Sequence, residues 1–395
     1  MASRERRRAA VVFSHAARTW AVPLFSLWVS LAVVRLHSDV LWGEFVHYLI
    51  WVSLTVMILN WGSGEYLLRA FSVSPGRVKS LWQANVATRT PLLLLSAGLF
   101  VGVFGLDVTS MGLLLWMAGW FVTQSLDVIL IYNKKFTSGL IAEVCAFSVV
   151  LTGIFQWGEG LTAQVLVLLY ALASVVRVSV LSMVWWRHAW SEWTWHWKPD
   201  ELTGAVPLLF LGVSGYIHSR LDLFLVDAWL VPKDVAVYQL FSGFCLHVQA
   251  FALVVLRPYA KYLYRLPLPS IRRVIRFSAF SGAAIVPAAM IAILVLLSYG
   301  YGFSLDRDWV LFGALITWPA FVLVPIGYVV LRFHRERWMI GVNMASFTIN
   351  GVANLLLIGD WGLKGALCAT ALAQLFLLIS FWGFWVLRWR EWNRT

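Results

Sequence analysis

Nearly every Lys and Arg of this 395-residue chain falls in every second gap between about twelve apolar stretches, and few folds accommodate that alternation. The stretches run roughly 11–34, 45–68, 81–104, 111–132, 139–156, 163–184, 203–228, 237–256, 273–298, 309–331, 337–358 and 365–387. About twenty residues at helical rise match a hydrocarbon core of about 30 Å, so each is long enough to cross a bilayer. The basic gaps hold Arg4, Arg6, Arg7 and Arg8, then Arg77 and Lys79, Lys134 and Lys135, Arg187 and Lys198, Arg257 to Arg276, Arg332 to Arg337, and Arg388 to Arg394. The intervening gaps hold only Arg35, Lys233, Arg307 and Lys364. Positive charge concentrates on the cytoplasmic side of membrane proteins, which predicts twelve spans with both termini cytoplasmic.

A hydrophobic content of 61% against 13% charged residues agrees, since soluble domains are nearer half and a quarter. The expected class is an all-α polytopic membrane protein. The net charge of +12 would suggest nucleic acid in a soluble chain, but here anionic lipid head groups answer it, and no nucleic-acid partner is expected. Cys145, Cys245 and Cys368 lie in three separate apolar stretches, which indicates neither a disulfide framework nor a metal site. The Arg-rich start resembles a signal peptide, yet its apolar run is longer than a signal needs and contains Arg18, so it reads as an uncleaved first helix.

The stretches divide evenly. Residues 1–184 hold six spans, a Trp-rich cytoplasmic linker covers 185–202, and 203–395 hold six more. An even number of crossings gives both halves the same orientation, so any repeat is parallel and a substrate site is expected between the halves. The linker, with Trp185, Trp186, Trp190, Trp193, Trp195 and Trp197, reads as an interfacial segment lying along the head groups rather than a cage for a quaternary amine. No gap has room for a soluble catalytic or nucleotide-binding domain. A phosphate loop, a His-Glu-x-x-His stretch, a Gly-x-Ser-x-Gly elbow and a Cys-x-x-Cys pair are all absent from the sequence.

The remaining chemistry lies in polar residues within the spans: Arg18, Glu65, Arg69, Arg89, Asp127 and Glu143 in the first half. Charge at membrane depth is costly and faces the protein interior or water, either in structural pairs or in a binding cavity. Arg18 and Arg89 are the expected donors to an anionic head group, because a guanidinium binds phosphate oxygens with two parallel bonds. In the second half Arg220 and Asp222 lie on span seven and His247 on span eight, where a lone His reads as structural. The spacing of Asn343, Asn350 and Asn354 puts them on one face of span eleven, as interhelical glue or as cavity lining.

Three stretches carry a resemblance. Asn350-Gly-Val-Ala-Asn354 continuing through Gly362-Leu-Lys-Gly365-Ala366 to Ala369-Thr370 resembles the span-eleven end, tight turn and span-twelve start of polysaccharide flippases. These belong to the multidrug/oligosaccharidyl-lipid/polysaccharide exporter superfamily, in the O-antigen repeat-unit type. Arg220-Leu-Asp222 through Tyr238 is similar to that family's seventh helix and the Tyr opening the eighth. Trp61-Gly62-Ser-Gly64-Glu65-Tyr66 through Ser72 looks like its second helix and cytoplasmic exit. In such turns Gly362 and Gly365 allow the bend, and Ala366 and Ala369 allow close helix contact.

The resemblance implies two six-helix lobes around a central cavity in a bacterial inner membrane. The implied function is flipping of a polyprenyl-diphosphate-linked sugar or oligosaccharide by alternating access, without catalysis or cofactor, for surface polysaccharide synthesis. Arg18, Arg89, Arg220, Asn343 and Asn350 are then the substrate-binding candidates. Glu65, Asp127, Glu143 and Asp222 would balance charge or bind a coupling ion, sodium or a proton. Membrane lipids and polysaccharide-assembly membrane proteins are the expected partners, with a single chain as the transport unit. The alternatives are an ion-coupled exporter of small amphipathic molecules, and a membrane glycosyltransferase or polymerase using the same lipid carrier.

Overall fold

The computed structural model describes residues 2–256, 263 and 266–392, and every regular element among them is helical. The side chains of Arg4, Arg6, Arg7, Arg8, Arg187, His188, Arg388 and Arg390, and all of Arg257 and Arg394, lie outside the described residues. Among the described residues eleven helical stretches are long and apolar enough to cross a bilayer. The last, Glu336–Leu387, has 52 residues, about 78 Å at helical rise and so two crossings' worth. It breaks at Gly362, with φ 54° and ψ −131°, which restores the twelve spans of the charge pattern.

The break follows from the sequence. The φ of Gly362 is in the left-handed region, and a Cβ on Gly365 would lie 2.2 Å from the Leu357 carbonyl oxygen, so the close return of the chain excludes any side chain there. Ala366 and Ala369 beyond it are both fully buried, as close helix contact requires.

Contacts divide the chain into two compact units, Met1–Ser219 and Arg220–Thr395. The first contains α1 (Ala2–Leu36), α2 (Asp39–Asn60), α3 (Ser63–Val73), α4 (Val78–Phe104), α5 (Val108–Asn133), α6 (Phe136–Trp157), α7 (Ala163–Ala189) and the first part of α8 (Pro199–Trp229). Side-chain oxygens of Ser38, Asp107 and Thr162 cap the starts of α2, α5 and α7 by accepting from Leu41, Ser110 and Val165 amides. The second predicted span is two helices, since Trp61 and Gly62 both take positive φ and turn α3 away from α2. Within this unit α7 packs on α5 and α6, α6 packs on α1, and α2 packs on α5.

The Trp-rich segment is held by more than head groups. Gln83 Nε2 donates to the Ala189 carbonyl at 2.8 Å, and the Lys198 amide donates to Thr88 Oγ1 at 3.0 Å. The rings of Trp190 and Trp193 meet Trp82 edge-on at 5.3 and 5.9 Å, while Trp195 and Trp197 remain exposed. The segment therefore docks on the first turns of α4. Docking continues into α8, where Leu202 accepts from Trp61 Nε1 at 2.9 Å and Tyr216 donates to the Ile50 carbonyl at 3.3 Å. These bonds group residues 185–219 with the first unit.

The second unit contains the end of α8, α9 (Pro232–Leu256), α10 (Leu268–Val295), α11 (Asp308–Thr317), α12 (Pro319–Arg332), α13 (336–361) and α14 (363–392). Its core joins Ile271 and Ile275 of α10 to Val322, Ile326 and Val330 of α12 and to Leu377, Phe381 and Trp385 of α14. Elsewhere large apolar side chains point outward: Leu94, Leu99, Val103, Phe277 and Ile379 are 67–75% exposed, a pattern suited to lipid rather than water.

Candidate functional site

Two charged or polar clusters stand out inside the helices, one in each unit. In the first, Arg18 Nη2 of α1 lies 2.6 Å from Asp127 Oδ1 of α5, and Arg177 Nη2 of α7 lies 2.8 Å from Glu143 Oε2 of α6. The two pairs are mutually close, since Asp127 also feels the charge of Arg177, and Glu143 feels those of Arg18 and Asp127. Four helices thus contribute one residue each to a quartet of zero net charge. Gly139 leaves the space for it: a Cβ there would lie 2.5 Å from Arg18 Nε.

Arg177 is the member that sequence reasoning missed. It interrupts the apolar run 163–184 alone, and the available signal was the pair of deep acids, Asp127 and Glu143, facing only one well-placed Arg. Glu65 and Arg69 lie exposed on α3, beyond the turn at Trp61–Gly62.

Arg89 also has a different setting from the one expected. It is 0% exposed, donates to the Leu59 carbonyl at 3.2 Å and to Ser125 Oγ at 2.9 Å, and lies 4.8 Å from the Phe121 ring centre. The last carbonyls of α2 have no partners within their own helix, and a guanidinium there supplies donors and complements the helix dipole. Arg89 thus caps α2 from α4.

In the second unit Asp222 of α8 is 6% exposed, and its Oδ2 accepts from Tyr238 of α9 at 2.5 Å and from Thr370 of α14 at 3.1 Å. Its Oδ1 accepts the Leu223 amide at 2.9 Å. Three helices therefore converge on one buried carboxylate, and all three residues lie in the stretches that carry the family resemblance. Arg220, two residues earlier, is half-buried and within electrostatic range of His247, with no hydrogen bond or ion pair among the described residues. The Asn stripe of α13 divides: Asn350 and Asn354 are buried and bonded to each other, whereas Asn343 is exposed.

No family model and no curated protein matches the chain in sequence. Solved structures do resemble it. The lipid II flippase MurJ in an inward closed conformation superposes with a TM-score of 0.69 at 12% identity, over 94% of this chain and 86% of that one. An inward-facing multidrug-resistance MATE transporter of the MOP superfamily gives 0.62 at 12% identity, over 94% and 95% of the two chains. The eukaryotic MATE transporter AtDTX14 gives 0.60 at 12% identity, over 99% and 98%. At such identity the likeness is one of fold: this is a multi-pass helical chain with the fold of MOP transporters.

Proposed function

We propose that the protein flips a polyprenyl-diphosphate-linked sugar or oligosaccharide across a bacterial inner membrane by alternating access. The observation that carries the proposal is the quartet Arg18, Asp127, Glu143 and Arg177, set in a fold that MurJ shares. Four charges at membrane depth cost more than apolar residues of the same volume unless they have a task, and two Arg forks suit a diphosphate. The balanced quartet stays neutral when empty. An anion entering it takes the donors of Arg18 and Arg177, and Asp127 and Glu143 then stabilise the guanidinium groups or accept protons.

Within the second unit Arg220 is a candidate for substrate binding, since it lacks a carboxylate partner among the described residues and retains its charge when desolvated. Asn343 is a polar contact. Asp222, held by Tyr238 and Thr370, is the proposed position of a coupling ion, sodium or a proton. Catalysis has no part in this reading, and the rocking of helical units moves the substrate.

A second reading, export of small amphipathic molecules, draws support from the near-complete coverage of the MATE chains, 95% and 98%. Deleting the gene and following its lipid-linked intermediates separates the readings. Flipping predicts complete lipid-linked repeat units held on the cytoplasmic leaflet and loss of surface polysaccharide. An unchanged lipid pool with raised drug sensitivity supports the exporter, and truncated repeat units indicate a sugar-adding enzyme.

A further inference from the structure

A layer of aromatic residues lies about 10 Å along the helices from the quartet. Trp120 precedes Asp127 on α5, and Tyr170 precedes Arg177 on α7, each by seven residues, which is two turns and the same helix face. The two helices run in the same direction, so these spacings define two rungs, one charged and one aromatic. The aromatic rung is continuous. Trp116 stacks on Trp120 at 6.3 Å and meets Tyr170 at 4.9 Å, while Phe45 of α2 backs both Trp116, at 5.6 Å, and Tyr170, at 4.8 Å.

An ordinary aromatic core would satisfy its polar tips. Here the indole nitrogens of Trp116 and Trp120 and the Tyr170 hydroxyl form no hydrogen bond among the described residues. Gln124 continues the stripe of α5 between the rungs, and its side-chain oxygen is buried without a partner, as is Arg177 Nε. Buried polar atoms are nearly always bonded, so these two exceptions, Gln124 Oε1 and Arg177 Nε, lying beside unbonded ring tips on one face, call for something to bond them. The supply is specific: ring faces, two indole donors, a hydroxyl that donates or accepts, an amide oxygen that accepts, and a guanidinium donor.

That combination fits a saccharide, whose C–H faces pack on electron-rich rings while its hydroxyls need both donors and acceptors. We infer that Trp116, Trp120, Gln124 and Tyr170 form a saccharide subsite beside the quartet, taking the sugar next to the diphosphate. The inference rests on the lipid-linked-glycan reading and adds the position of its first sugar. Phe45 is the support behind the platform, and Trp120, half-buried where Trp116 is 3% exposed, presents the open ring.

The test is binding to the purified full chain in lipid nanodiscs. The probes are farnesyl diphosphate and its glucosyl, galactosyl and N-acetylglucosaminyl diphosphate counterparts. A subsite predicts that at least one sugar-bearing probe binds about tenfold more tightly than farnesyl diphosphate, a gain of about 1.4 kcal/mol. Trp120→Leu and Tyr170→Phe should each remove most of that gain and leave farnesyl diphosphate affinity unchanged. Tyr170→Phe deletes one oxygen atom, so it keeps the question open to refutation if the Trp variant fails to fold. No gain from any sugar in the wild type, or a gain that survives both substitutions, overturns the subsite and leaves the diphosphate reading standing. Failure of all four probes to bind overturns the diphosphate reading and the subsite with it.

Discussion

At the scale of single residues, the quartet and Arg89 show two uses of arginine in one membrane interior. Arg89 donates to the Leu59 carbonyl and to Ser125 Oγ, and its bonds complete a helix end. Arg18 and Arg177 each hold a carboxylate that must find a cation or a proton when left alone. Replacing Arg177 by Gln removes the partner of Glu143 and should destabilise the folded protein by about 3 kcal/mol, the usual cost of orphaning one member of a buried pair. Adding Glu143→Gln removes the orphaned charge and should restore most of that loss. Thermal unfolding of the two single variants and the double variant in nanodiscs gives the coupling energy. Transport separates structure from binding: if Arg177 holds the head group, the double variant regains stability without regaining flipping. Recovery of both would assign Arg177 to the scaffold alone.

At the scale of helices, much was legible from composition because a span needs only length and apolarity. The Gly362–Gly365 turn was legible for the same local reason, two glycines at the spacing of a tight return before two small residues. Tertiary choices were not. The acceptors of Arg89 are mainly backbone carbonyls, which have no sequence signature, and the docking of the Trp segment on α4 depends on which helices become neighbours. Arg177 was hidden by the apolar run around it, although a lone charge in such a run is itself the signal. Helix ends, by contrast, follow local chemistry. The Ser110 amide bonded to Asp107 holds that carboxyl below its ordinary value of 3.8, and the side-chain hydroxyls of Ser110 and Thr109 act in the same direction. A folded-state value below the unfolded one means that the cap stabilises α5 above the ordinary carboxylate range and is lost as pH falls through the lowered value. Protection of the first-turn amides of α5 against hydrogen exchange, corrected for intrinsic rates, should therefore fall on acidification below about pH 4. Asp107→Asn keeps the acceptor without the titration, so its exchange should stay flat over the same window once corrected for intrinsic rates. Identical pH dependence in both proteins would show that another group controls the helix start.

At the scale of the whole molecule, topology is where the sequence argument and the packing meet. Positive charge placed the gaps 299–308 and 359–364 on one side, and the structure joins them, since Lys364 bonds Asp306 at 2.8 Å and Asp308 at 2.9 Å. Charge placed the gaps around Lys79 and 185–198 together on the other side, and Lys79 bonds Glu192 at 2.9 Å. Each ion pair is exposed and contributes little to stability, but neither could form if its two gaps lay on opposite faces of the bilayer. The pairs fix which gaps share a side, while the excess of Lys and Arg predicts which side is cytoplasmic. A membrane-impermeant thiol reagent reads that orientation directly. Cys145, Cys245 and Cys368 are half-buried or buried within helices, and replacing them by Ser or Ala provides a background without thiols. On it, Lys364→Cys should label in intact cells, or in spheroplasts where an outer membrane blocks the reagent. Glu192→Cys, 89% exposed at its side chain, should label only after the inner membrane is opened. The reverse pattern would invert the chain and put the basic gaps outside, against the anionic-lipid argument. It would also count against the proposed flipping from the cytoplasmic leaflet.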